Sequence, residues 1–318
     1  MSTGQSGQRK HQETPQHNQV SKKKQPNSKA TPSHALSKLH EMQQNLNRPV
    51  LKLKQDVPTR WNSTYDMLDR LLRNKEPVVS TLALLESDLS LESHDWIEID
   101  HAVKVLKVFY DVTVEISSEK NVSLSKIAVL SRLMTRYVRQ YLDREKSVPE
   151  NIQKLCEQLI SGLAKRFSLL ESNELVAQSI LLDPRFKKQG FGDDDKYQSA
   201  YQSLIRKIRM TSIEPMPEPM ELTHTHAASP AVAAIIELDK YVAELHLQRK
   251  NDPLLWWEER KSVYPRLYQM VLKRLCIPAT SVPCERIFSK AGQICNDRRS
   301  RLSSSNMQKI IFVNHNIN

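Results

Sequence analysis

Six glycines in 318 residues, at positions 4, 7, 162, 190, 192 and 292, deny this chain the turn chemistry that short hairpins need. A sheet-rich fold would need such turns every few residues. The sequence therefore predicts a mainly α fold with little or no sheet. Its 39% hydrophobic content is enough to bury one sizeable core, or two. No stretch reaches the roughly eighteen uninterrupted apolar residues of a membrane span, and the N-terminus has no apolar segment for secretion. An intracellular protein with no membrane contact is expected. Cys156, Cys276, Cys284 and Cys295 have no paired spacing and read as free thiols of a reducing compartment.

The net charge of +11 is uneven: residues 1–54 hold ten Lys or Arg against Glu13 and Glu41, so the arm carries +8 and the remainder +3. A basic arm on a balanced body points to a polyanion, by default nucleic acid or an import receptor, and not to a small-molecule substrate. Residues 1–32 contain only Met1, Val20 and Ala30 as apolar side chains, so ordering them would cost entropy without burial. They are expected to be a disordered basic tail. Within it Lys22, Lys23 and Lys24 form a cluster suited to phosphate or to nuclear import, or simply a solvated charge run.

Apolar residues at 36, 39, 42 and 46 predict a helix, and Val50-Leu51-Lys52-Leu53-Lys54 alternates as a short strand closed by Pro58. Longer stripes follow. Trp96, Ile99, Val103, Leu106 and Tyr110 share one face, and Leu124, Ile127, Leu130, Met134, Val138 and Tyr141 share another. A third helix is predicted from a capping box at Ser147-Val148-Pro149-Glu150, continuing to Phe167. Such faces can bury one another without a sheet, which predicts a helical bundle over 62–182. Asp183 to Gly192 and the prolines at 215, 217, 219 and 230 break the pattern, the second break reading as an exposed linker over about 211–230. Helices at about 193–210 and 231–248 flank that linker.

After Asp252-Pro253, an N-cap with a first-turn proline, comes the most apolar segment of the chain. It holds Trp256, Trp257, Tyr264 and Leu267, then a helix near Ser281 with Ile287 and Phe288 inward, then a last helix capped by Ser303 with Met307, Ile310 and Ile311 as its buried face. No zinc site emerges, because no C-x-x-C pair exists and His224 and His226 lie in the proline-rich linker without further ligands. No phosphate loop or Ser-His-Asp set is found either, so neither metal nor other cofactor is expected.

Three segments carry a resemblance. Thr59-Arg60-Trp61-Asn62-Ser63-Thr64-Tyr65-Asp66-Met67-Leu68 resembles the stretch that opens the helical insertion of hAT transposases, including transposase-derived proteins of the zinc-finger BED type. Pro278 to Gly292, with Pro283-Cys284-Glu285-Arg286-Ile287-Phe288-Ser289 at its centre, followed by Arg298-Arg299-Ser300-Arg301-Leu302, resembles the hAT C-terminal dimerisation region. Leu182-Asp183-Pro184-Arg185-Phe186-Lys187 is similar to a family segment between them, and the likeness runs in order from about Ser33 onward.

The resemblance implies a ribonuclease-H-like domain with three carboxylates around two metal ions, interrupted by a helical insertion. Glu285 stands where the third carboxylate belongs, and Trp61 where the family keeps a tryptophan near the active site. Upstream of Trp61 the only acids are Glu13, Glu41 and Asp56, and two-metal catalysis needs several carboxylates converging on both ions. Glu285 is therefore expected to be a remnant in a first helical turn and Trp61 a core or groove anchor, with no catalytic residue.

The implied organisation is a tail over 1–32 and a ribonuclease-H-like remnant of helix and short strand over 33–61. The helical insertion then covers 62–250 and the dimerisation domain 251–318. The expected function is non-catalytic: a nuclear, DNA- or chromatin-associated protein acting as a homodimer, or as a heterodimer with a related hAT protein. Trp256, Trp257, Tyr264, Leu267, Ile287, Phe288, Ile310 and Ile311 are the candidate dimerisation residues. Lys22, Lys23, Lys24, Arg298, Arg299 and Arg301 are candidates for non-specific DNA contact. The alternative is a fragment of a transposase or transcription regulator whose finger and other carboxylates lie outside the chain. SUMO-ligase-like activity, which leaves no motif here, is a remoter one.

Overall fold

The computed structural model describes residues 31–85, 89–210, 230–294 and 302–317, and among them there are helices and no strand. The chain divides into two compact units, one within Met1–Lys52 and Glu76–Leu89, the other within Leu53–Lys75 and Ser90–Asn318. Residues 1–30 of the expected tail and most of the proline-rich linker lie outside the described residues, while Thr31 and Pro32, assigned to that tail, open the first helix.

In the first unit, α1 (Pro32–Asn45) opens on a proline and buries Leu39 and Gln43. Asn47 adopts a left-handed φ of 51° and turns the chain out of the helix. The expected strand at 50–54 does not form. A single strand has no neighbour to satisfy its backbone, and here the Leu51 carbonyl accepts a bond from Gln43 Nε2 at 2.8 Å instead. Most of α3 (Lys75–Leu84) belongs to this unit, with Val78 and Thr81 buried.

The second unit starts with α2 (Trp61–Arg73), whose first turn is tied down by the motif that precedes it. Ser63 Oγ donates to Asp56 Oδ1 at 2.5 Å and accepts from the Val57 N–H at 2.8 Å, while Thr64 Oγ1 donates to the same carboxylate at 3.1 Å. The Ser63 hydroxyl holds the Asp56 carboxyl below its usual pKa range. Next come α4 (Ser93–Ile116), α5 (Ile127–Arg144) and α6 (Glu150–Phe167), the predicted bundle. Val105, Val138 and Cys156 are fully buried at its centre with Ala102, Tyr141 and Ile152 around them. The α6 start differs from the expected capping box: Pro149 is the N-cap and no side chain caps the helix. A residue before proline is forced into extended backbone, so Ser147 cannot sit one turn ahead of a helix entered through Val148-Pro149.

A second core surrounds α7 (Glu174–Leu182), capped by Asn173, with α8 (Asp194–Met210), α9 (Pro230–Ala243), α10 (Pro253–Glu259) and α11 (Pro265–Arg274). Leu181, Leu182, Leu204, Leu238, Tyr241, Trp257, Tyr264 and Leu267 are fully excluded from solvent. One continuous cluster thus joins residues on both sides of position 250. Asp252 caps α10 as its sequence suggests, accepting from the Leu254 N–H at 2.8 Å. Glu237 of α9 reaches the N-terminus of α11 and accepts from the Leu267 N–H at 2.7 Å, and burial pushes its carboxyl pKa up.

The Asp183 to Gly192 segment breaks the helical run as its sequence suggests, and its first half, Asp183 to Lys187, is buried. Asp183 is wholly buried and accepts from Arg185 Nε at 2.8 Å, Arg185 Nη2 at 2.6 Å, the Arg185 N–H at 3.0 Å and Ser125 Oγ at 2.6 Å. Gly190 lies so close to its surroundings that a Cβ would stand 2.4 Å from Ile180 Cγ2 and 2.8 Å from Phe186 Cβ. A Cβ on Gly192 would meet Arg132 Cδ at 3.3 Å. Gly190 is therefore a packing requirement, whereas at Gly192 a side chain would press on the flexible Arg132.

Lys187 combines a left-handed φ of 46° with 1% exposure. Its ammonium donates to the Tyr241 and Glu244 carbonyls at 2.8 and 2.7 Å and sits 4.7 Å from the Tyr241 ring centre. Burial pushes its pKa down to about 8, against a smaller upward pull from Glu244 and with a further downward push from Arg260. Because the unfolded chain holds this proton more tightly, it binds more protons above that pKa, and folding stability rises with pH. The difference in unfolding free energy between wild type and Lys187→Met should shift by about 1 kcal/mol in favour of wild type from about pH 7 to about pH 9. Parallel urea titrations of the two proteins read this, and a pH-independent difference would refute it.

Candidate dimerisation surface

The last two helices, α12 (Val282–Ile294) and α13 (Ser304–Asn316), contain no buried residue. Their base is fixed to the rest of the second unit. The Ala279 N–H donates to Ser123 Oγ at 3.0 Å, and Arg286 Nη1 reaches both the Ser117 carbonyl and Glu119 Oε1 at 3.2 Å. Ser117 is the C-cap of α4, so a guanidinium meets the negative end of that helix. Ser303 caps α13 as predicted, accepting from the Asn306 N–H at 3.4 Å. Lys290 Nζ bonds Asn314 Oδ1 at 3.3 Å between the two helices.

Half-buried Ile287, Ala291 and Ile294 mark one face of α12, and half-buried Met307 and Ile311 mark one face of α13. The remaining apolar residues stand in solvent: Phe288 is 74% exposed, Phe312 69%, Ile317 76%, Val313 50% and Ile310 40%. Ile310, Val313 and Ile317 follow a helical i, i+3, i+7 spacing and so form one stripe. The expectation that Ile310 is buried with Met307 and Ile311 is corrected here. Two adjacent residues of one helix face different directions, and only Ile311 turns inward.

The eight candidate dimerisation residues separate into two groups. Trp256, Trp257, Tyr264 and Leu267 are buried within their own chain, where Trp257 Nε1 donates to the Leu182 carbonyl at 2.9 Å and Arg260 lies 4.4 Å from the Trp256 ring centre. Ile287 and Ile311 are half-buried, and Phe288 and Ile310 face solvent. Sequence reasoning missed Val313 and Ile317, which continue the period of Ile310 and were legible on that ground, and Phe312, which lies off that stripe. Lys22, Lys23, Lys24, Arg298, Arg299 and Arg301 fall outside the described residues.

Glu285 lies in the first turn of α12, exposed, and accepts from Ser281 Oγ at 2.6 Å. It sits where the helix dipole favours an acid. Trp61 is the first residue of α2, and its side chain lies outside what the structure describes. Among the described residues no group of three His, Cys, Asp or Glu side chains is placed to hold a metal ion. No helix among them is long and apolar enough to cross a membrane.

Residues 237–317 match the hAT family C-terminal dimerisation region, and residues 17–105 match the ZBED1 RNase-like helical domain. The first match begins inside α9, consistent with a core shared across position 250. Among curated proteins, the zinc finger BED domain-containing protein 4 of Homo sapiens is 24% identical over 307 residues, covering 89% of this chain and 26% of the relative. The putative AC transposase of Zea mays is 26% identical over 299 residues, covering 80% and 36%. The zinc finger BED domain-containing protein 6 of Homo sapiens is 22% identical over 339 residues, covering 88% and 33%. The chain thus spans between 26% and 36% of the length of these three relatives. With no strand among the described residues, two matched regions in chain order and relatives aligned along most of the chain, this protein is similar to hAT transposases and to zinc finger BED domain-containing proteins and carries a match to the hAT C-terminal dimerisation region.

Proposed function

We propose that this chain acts as a non-catalytic, transposase-derived dimerisation module, nuclear and associated with DNA. The observation that carries the reading is the uncovered stripe of Ile310, Val313 and Ile317 with Phe288 and Phe312, inside the matched dimerisation region. Five apolar side chains in solvent on a two-helix hairpin cost free energy that burial against a partner recovers, at about 25 cal/mol per Å². Size-exclusion chromatography with light scattering at micromolar concentration should give twice the 36.7 kDa chain mass. A monomer across that range rejects the reading.

Absence of catalysis is supported by the setting of Glu285, whose carboxylate is bonded to Ser281 as a first-turn acid. Association with DNA rests on a different feature, the +8 carried by residues 1–54. Counterion release makes such binding steeply salt-dependent and indifferent to sequence. Anisotropy titrations on unrelated duplexes should give one common affinity that falls with salt. Affinity that survives removal of residues 1–30 excludes the arm as its source.

A further inference from the structure

Gly292 is the one described glycine for which no described neighbour lies within 4 Å of an added Cβ. Gly190 is required by close neighbours, Gly192 has the Arg132 side chain 3.3 Å from where a Cβ would stand, and Gly162 in α6 has Arg166 Nη1 at 3.5 Å. A Cβ on Gly292 would meet nothing within 4 Å, and its φ is not in the left-handed region. The residue lies within α12, where glycine costs roughly 0.5–1 kcal/mol relative to alanine. Among the described residues none occupies the space that the missing side chain leaves. One turn earlier on the same face stands Phe288, 74% exposed.

We propose that α12 packs against α12 of a second copy, with Phe288 of each protomer seated over Gly292 of the other. The inference rests on the dimerisation reading above and names the contact through which it operates. A two-fold interface is self-complementary: if position i of one protomer meets position j of its partner, j meets i in return. An antiparallel crossing centred between residues 288 and 292 places each large side chain over the hollow left by the partner's glycine. A heterologous partner would need only one half of this arrangement, whereas α12 carries both, four residues apart. The exposed stripe of α13 flanks the crossing and extends the apolar surface.

The test uses the full chain and four proteins: wild type, Gly292→Leu, Phe288→Ala and the exchange Phe288→Gly with Gly292→Phe. Gly292→Leu has open space around it in the single chain and better helix propensity, so its circular dichroism and denaturation midpoint, measured at monomeric dilution, should match wild type. Its dimer Kd should rise by about tenfold or more, because the added side chain meets the partner's Phe288. Phe288→Ala should weaken the dimer comparably. The exchange variant should regain self-association while pairing poorly with wild type, since two phenylalanines would then oppose each other. A wild-type chain that is monomeric removes the dimerisation reading itself. A dimeric wild type whose Kd is unmoved by Gly292→Leu, or an exchange variant that stays as weak as either single change, overturns the Phe288–Gly292 contact and leaves dimerisation standing.

Discussion

Replacing Asp183 with alanine should lower the unfolding free energy by about 3–5 kcal/mol, the cost of stranding a buried charge without its partner. Asp183 is 0% exposed and Arg185 8%, so neither can turn to water when the other is lost. The carboxylate also accepts from the Ser125 hydroxyl and the Arg185 N–H, two further donors left unsatisfied by alanine. The damage would spread because the segment sits between cores: Phe186 packs with Ile180, Leu124 and Ala128, and the Pro184 carbonyl accepts from the Leu247 N–H at 3.0 Å. Urea titration followed by circular dichroism reads the change as a lowered midpoint. A loss under about 1 kcal/mol, the value typical of an exposed ion pair, would mean that the pair is not the lock that its burial indicates.

Val313→Asp should convert the protein from dimer to monomer at concentrations where wild type is associated, raising Kd by about a hundredfold or more. Val313 is half exposed in the single chain, so the substitution should leave folding within about 0.5 kcal/mol of wild type. In a two-fold assembly the change occurs twice, bringing two like charges into a dry apolar contact without partners. Light scattering gives the mass and a urea titration of the dilute variant gives its stability. A stable dimer of Val313→Asp would move the interface off α13.

Most helices were legible because their apolar residues recur at helical spacing, and Asp252 and Ser303 cap where their side chains can reach the first free N–H groups. The misreadings have local causes. Val50 to Lys54 alternates like a strand, but alternation records only a preference and cannot supply a second strand. Ser147 satisfies a capping pattern that Pro149 overrides through the backbone of Val148. The break at Asp183-Pro184-Arg185-Phe186-Lys187 was legible, but its burial was not, because charges that neutralise one another in the interior have no periodicity to betray them. Apolarity marks the dimer candidates in the sequence, and apolarity does not distinguish Trp257, used within its own chain, from Phe288, which is not. That distinction depends on which faces the rest of the chain covers.

The placement of the tryptophans gives this molecule a built-in separation of signals. Trp96, Trp256 and Trp257 are 3%, 8% and 0% exposed, and no tryptophan occurs from Val282 to the end of the chain. Arg260 stacked on Trp256 and the Leu182 carbonyl bonded to Trp257 set the polarity around two of these indoles. Their emission should therefore follow loss of the interior and stay unchanged when protomers come apart through α12 and α13. A dilution series of the Trp61→Phe protein monitored by intrinsic fluorescence, which then reports these three indoles alone, would be flat where light scattering changes, so the spectroscopic and hydrodynamic curves could be assigned to separate equilibria without a label.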